Sequence, residues 1–153
     1  MNSELEPLDA WCSALIGRLE PAARRQLARA IAADLRRRNT VRIADQVDPD
    51  GQAFEPRKPQ LRGKKGRIRR GKMFGKLRTA RYLKTEAKPD EAVVAFAASV
   101  QAIAQVHQRG LRDRVNRRHG PEYHYPARRL LGIPDTDVQA VGDIVLHHLA
   151  GGV

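Results

Sequence analysis

At 153 residues, with 41% apolar and 5% aromatic content, the chain has the length of one domain whose core must be built from Ala, Leu, Val and Ile. Its one cysteine, Cys12, excludes an intramolecular disulfide and any cysteine-rich zinc site. The net charge is +12, but thirteen basic residues fall between Pro56 and Lys84, so the rest of the chain sums to −1.

The opening Met1-Asn-Ser-Glu-Leu-Glu6 is acidic and has no apolar stretch, so no signal peptide is expected. No window approaches the ~20 apolar residues of a membrane span. The expectation is a soluble protein without membrane contact, cytoplasmic where it is made.

Leu8, Trp11, Cys12, Leu15, Ile16 and Leu19 recur at helical spacing and predict an amphipathic first helix. Pro21 suits the first turn of a second helix, where its missing N–H costs nothing. That helix shows Leu27, Ile31 and Leu35 on one face and is expected to reach the low forties. Arg36, Arg37 and Arg38 come late in it and read as a solvated face suited to the helix C-terminus. Asp48-Pro-Asp-Gly51 is a turn signal. Set in a calcium-loop frame with Gly51 at position 6, it puts Gln46 and Arg57 where oxygen ligands are needed, so it is a turn and not a calcium site.

From Pro56 to Lys72 the only apolar side chains besides prolines are Leu61 and Ile68, and Pro59, Gly63, Gly66 and Gly71 break the run. Such charge with so little to bury does not offset the entropy of ordering the backbone. Residues 56–72 are therefore expected to form a flexible basic arm that orders against a partner. Its candidate contact residues are Arg57, Lys58, Arg62, Lys64, Lys65, Arg67, Arg69, Arg70 and Lys72. Met73, Phe74, Leu77, Tyr82 and Leu83 give the following stretch enough apolar surface to join the body.

Ala80–Thr85 and Ala92–Ala97 read as strands around a turn at Lys88-Pro-Asp90. Ser99 is placed to cap a helix from Val100 to about Gln108, with Gly110 as its stop. Leu111–His119 is polar and basic, and Glu122–Tyr125 reads as a short strand. Thr136-Asp-Val-Gln139 fits a capping box, with Val138, Val141, Val145 and Leu149 as the inner face of a last helix. The expectation is an α+β fold in a single domain, 1–153. It has N-terminal helices, a basic arm, a small and mostly antiparallel sheet, a middle helix and a C-terminal helix.

Little in the sequence supports catalysis. Gly66-Arg-Ile-Arg-Arg-Gly71-Lys72 has phosphate-loop spacing, but Met73 stands where a magnesium-binding hydroxyl is required and no strand precedes it. The five histidines, His107, His119, His124, His147 and His148, form no metal-binding spacing, and Ser3, Ser13 and Ser99 sit in no nucleophile-elbow setting. His107, near a helix end, reads as a hydrogen-bonded structural residue. No enzyme, metal or cofactor is expected. From composition alone, the basic run favours nucleic-acid phosphates. Phe74 and Tyr82 provide little stacking surface for single strands, and the alternative is an acidic protein surface met during assembly.

Several stretches together carry a resemblance. They are Asp48-Pro-Asp-Gly51 with Phe54-Glu-Pro-Arg57, Lys64-Lys-Gly-Arg-Ile-Arg-Arg70, Met73-Phe74 and Lys76-Leu-Arg-Thr79. Ile103-Ala-Gln-Val-His-Gln108 with Gly110-Leu111 follows, then Asp113-Arg114, Asn116-Arg117, and Tyr125-Pro-Ala-Arg128 with Leu130-Leu-Gly132. The most specific pieces are His-Gln-x-Gly-Leu and Ala-Arg-x-Leu-Leu-Gly. In this order, over nearly the whole chain, they resemble the phage virion morphogenesis family, the tail-completion proteins of contractile-tailed bacteriophages.

The resemblance implies a structural protein of the virion that finishes the head-proximal end of the tail and lets it join a DNA-filled head. It also implies self-association into a ring, sixfold as such tails are, with tail-tube and head–tail connector proteins as partners. Assembly would take place in the host cytoplasm. In that setting the arm meets a neighbouring subunit or tail protein, or makes non-specific contact with phage DNA in the tail lumen. A nucleic-acid-binding module is the alternative function.

Overall fold

The computed structural model describes residues 6–58, 72–115 and 118–151. The chain is α+β: among the described residues there are four helices and two two-stranded sheets. They fall into two compact units, one drawn from Met1–Arg36, Thr85–Val94 and Asp135–Val153, the other from Arg37–Lys84 and Ala95–Pro134.

The first unit contains α1 (Glu6–Gly17), the opening of α2 (Pro21–Asp45) and α4 (Asp135–Leu149). Most of a hairpin between β1 (Leu83–Lys88) and β2 (Glu91–Phe96) belongs to it as well. Pro21 opens α2 as expected. The most buried residues of α2 here are Ala28, Ala32 and Leu35, while Leu27 and Ile31 flank them half-buried.

The apolar side of α1 is open: Trp11 is 58% exposed, Ile16 62% and the following Leu19 51%. The C-terminal end of α4 is fastened by Arg18, whose Nη1 donates to the Leu149 carbonyl at 2.6 Å, while His148 Nε2 lies 3.2 Å from the Arg18 carbonyl. A cation there also suits the helix dipole.

The last helix departs from expectation in two ways. It begins at Asp135, so Thr136 lies inside its first turn and is not its cap. Its inner face starts at Asp137, 1% exposed, and Val138 points outward at 57%. The half-buried Ala140, Val141, Ile144, Val145, His148 and Leu149 continue that face at helical spacing.

The second unit packs Ile43, Phe54, Met73, Leu77, Ala104 and Leu130 into one core, with Phe74, Phe96 and Val100 against it. The turn after α2 forms as its sequence dictates. Asp48 Oδ1 accepts the N–H groups of Asp50 and Gln52, each at 2.9 Å, and Gly51 takes φ +82°. β1 begins at Leu83, later than the expected Ala80, because the N–H groups of Leu77, Arg78, Thr79, Tyr82 and Leu83 go to the carbonyls of Phe74, Lys76 and Thr79 in successive turns.

Helix α3 spans Ala98–Arg109 and stops at Gly110, in the left-handed conformation that residue was expected to supply. Its N-cap is Ala97 without any side-chain bond, so Ser99 is within the helix and caps nothing. β4 (Glu122–His124) forms where a short strand was expected and pairs antiparallel with β3 (Arg112–Arg114) in the polar stretch before it. No described helix is long and apolar enough to cross a membrane.

A candidate assembly surface at the root of the basic segment

Both ends of the basic segment are held in the second unit by side chains that bond to main chain. At the departing end, Arg128 donates from Nε to the Glu55 carbonyl at 2.7 Å and from Nη2 to the Pro56 carbonyl at 3.1 Å. At the returning end, the Gln46 side-chain amide pairs with Met73. Its Oε1 accepts the Met73 N–H at 2.6 Å and its Nε2 donates to the Met73 carbonyl at 2.9 Å. Gln46 does this from a left-handed backbone, φ +62°. Lys72 Nζ reaches the Ala44 carbonyl at 3.0 Å, at the negative end of α2.

The two most specific motifs of the sequence lie against each other here. The His107 carbonyl accepts the Arg128 N–H at 2.7 Å. Gln108 Oε1 accepts the N–H groups of Leu130 and Leu131 at 2.8 and 3.0 Å, and its Nε2 returns a bond to the Leu131 carbonyl at 2.8 Å. Residues 128–132 belong to no helix or strand, so these side chains replace the ladder that would otherwise satisfy their backbone. Asn39 and Arg42 complete the set: Asn39 Oδ1 accepts the Gly132 N–H and Arg42 Nη2 donates to the Gly132 carbonyl.

The glycines of both motifs have a steric reason. A Cβ on Gly110 would stand 2.8 Å from the Ala127 nitrogen, and one on Gly132 would collide with the Pro49 ring.

Beside these clamps runs a ladder of edge-to-face rings: Phe54, Phe74, His107, Tyr125 and Tyr123, with successive centroids 5.8, 4.8, 5.1 and 4.9 Å apart. Lys58 Nζ covers the Tyr123 ring at 4.4 Å. An open cleft of about 400 Å³ lies along the ladder, walled by Arg57, Lys58, Phe74, His107, Tyr123, Tyr125 and Arg128 among others. Burial, then the charges of Arg128 and Arg57, push the His107 pKa down to about 4. Its imidazole is therefore neutral at pH 7, which suits Nδ1 to face Arg128 Nη1 at 3.4 Å as an acceptor.

Of the candidate arm residues, Arg57 and Lys58 line this cleft and Lys72 is bound to Ala44. Arg62, Lys64, Lys65, Arg67, Arg69 and Arg70 lie outside the described residues. Sequence reasoning missed Gln46 and Tyr123. Gln108 and Arg128 were inside quoted motifs, but nothing local showed that each serves a distant stretch of backbone. Among the described residues no group of three or more His, Cys, Asp or Glu is placed to hold a metal.

A structure of this kind, in which paired motifs lock irregular backbone and secure both roots of a basic segment, presents that segment on a firm base. The chain belongs to the phage virion morphogenesis family, whose model matches residues 3–150. It is 40% identical to tail completion protein S of Escherichia phage P2 over 149 residues, 96% of this chain and 98% of that protein. No solved structure matches it.

Proposed function

We propose that this protein completes the head-proximal end of a bacteriophage tail and permits its joining to the head. It works through protein–protein contacts and performs no catalysis. The observation that carries this reading is the full-length similarity to a tail completion protein. The whole chain acts as one completion unit, in keeping with a family match that runs from residue 3 to residue 150.

In this reading the protein resides in the virion at the head end of the tail and is assembled in the host cytoplasm. It forms a homo-oligomeric ring, sixfold to match the tail, against tail-tube and head–tail connector proteins. Residues 56–72 are its assembly arm, and the clamps at Arg128 and Gln46 fix where that arm leaves and returns. The nucleic-acid alternative gains nothing beyond the charge that first suggested it.

Replacing residues 59–70 with a neutral Gly/Ser linker keeps both clamps and removes the arm. Micrographs of lysates should then show separate heads and tails, and a normal yield of joined particles would sink the role given to the arm.

A further inference from the structure

Charge is divided unevenly between the two units. The ranges of the first hold 6 Lys and Arg against 11 Asp and Glu, and those of the second hold 23 against 6. One unit therefore carries −5 and the other +17.

Within the second unit, the cleft at the root of the basic segment has Arg57, Lys58 and Arg128 in its wall and no carboxylate among the described residues. Arg128 is 5% exposed, and its guanidinium bonds to two carbonyls and the His107 ring but to no carboxylate among the described residues. Desolvation lowers the pKa of this cation, and the Glu55 carboxylate nearby, which makes no hydrogen bond to it among the described residues, offsets that only in part. In the first unit, Glu20, Asp90, Asp135 and Asp143 are exposed, and none is ion-paired among the described residues.

We propose that copies of this chain associate head to tail, the acidic first unit of one copy placing exposed carboxylates at the cationic cleft in the second unit of the next. The proposal rests on the self-association described under the proposed function and names its surfaces. A contact between two different patches is heterologous, and it closes into a ring when the rotation between copies allows. A second copy suits the cleft better than nucleic acid. Lys58 already covers the Tyr123 face on which a base would stack, and a recess of about 400 Å³ admits a side chain more readily than the continuous backbone of a duplex.

Sedimentation velocity on the full chain tests this, using wild type, Arg57→Glu/Lys58→Glu, Asp90→Lys/Asp143→Lys and the combination of all four. All four positions are exposed, so folding should be retained, and Arg128 is left alone because it holds backbone carbonyls. Wild type should self-associate, with a dissociation constant that rises at least about tenfold in high salt and in either double variant. The four-residue exchange should return it to within about threefold of wild type. An oligomer indifferent to salt and to both reversals would overturn the proposal while leaving self-association standing. A wild type that stays monomeric at every concentration would overturn both. Loss of DNA binding in Arg57→Glu/Lys58→Glu, with unchanged association, would give the cleft to nucleic acid instead.

Discussion

The side chain of Gln108 pairs with the backbone of Leu131 as one strand residue pairs with another, accepting its N–H and donating to its carbonyl across 23 positions. Gln46 repeats the device on Met73. Removing such an amide strands main-chain groups that have no other partner among the described residues. Gln108→Ala, which loses three bonds, should destabilise the protein by about 2–4 kcal/mol in urea unfolding. Gln46→Ala should cost about 2 kcal/mol, and Gln46→Gly less, because glycine relieves the left-handed backbone. Equal losses in the two Gln46 variants would mean that the strain relieved is no larger than glycine's extra entropy cost on folding.

Three glycines separate steric need from conformational cost. Gly110 and Gly132 each leave no room for a Cβ, and Gly110 has φ +64° besides, so alanine at either should lower the melting temperature, more at Gly110. Gly142 lies inside α4, where an added Cβ would meet nothing within 4 Å. Gly142→Ala should therefore raise stability, by about 0.5–1 kcal/mol. Calorimetry on the three variants checks both directions at once.

His107 links the ladder to pH. Its folded pKa of about 4 lies below its ordinary 6.5, so between those values the unfolded chain binds more protons. The stability it contributes is complete above about pH 6.5 and is lost as pH falls toward 4. Below that, both states are protonated and the loss from this residue ends. His107→Phe keeps a ring between Phe74 and Tyr125 but cannot titrate. Urea midpoints near pH 7 and pH 5 should differ less in this variant than in wild type, and an unchanged difference would remove His107 as the source.

Trp11 is the only tryptophan and is 58% exposed on α1. If the open side of this helix is covered in the assembled tail, its emission should shift to the blue on assembly and its quenching by acrylamide should weaken. Emission that does not change on incorporation into tails would place the contact elsewhere.

What was legible in the sequence is what local chemistry decides. Pro21 opens a helix, Asp48 and Gly51 close a turn, and Gly110 ends a helix because each does so with its own atoms and those of near neighbours. Periodicity was less secure. It gave the apolar side of α1 but not whether anything covers it, and it put Val138 inward where Asp137 is buried instead. β3 was hidden because Arg112–Arg114 is held by pairing with β4 and carries no apolar signal. The site was the least legible part. Arg57 and Lys58 stood out by charge, but Gln46 and Arg128 act on backbone 27 and more than 70 positions away, and no local pattern announces that.

The clamps on the basic segment read only main-chain atoms: Arg128 holds two carbonyls, and Gln46 a carbonyl and an N–H. They are therefore blind to the side chains that lie between them. Closing a longer loop is also cheap, since each doubling of length costs only about 0.6 kcal/mol. Insertions or exchanges of sequence between residues 59 and 70 should therefore leave both clamps in place, and the unfolding midpoint of such variants should stay close to that of wild type.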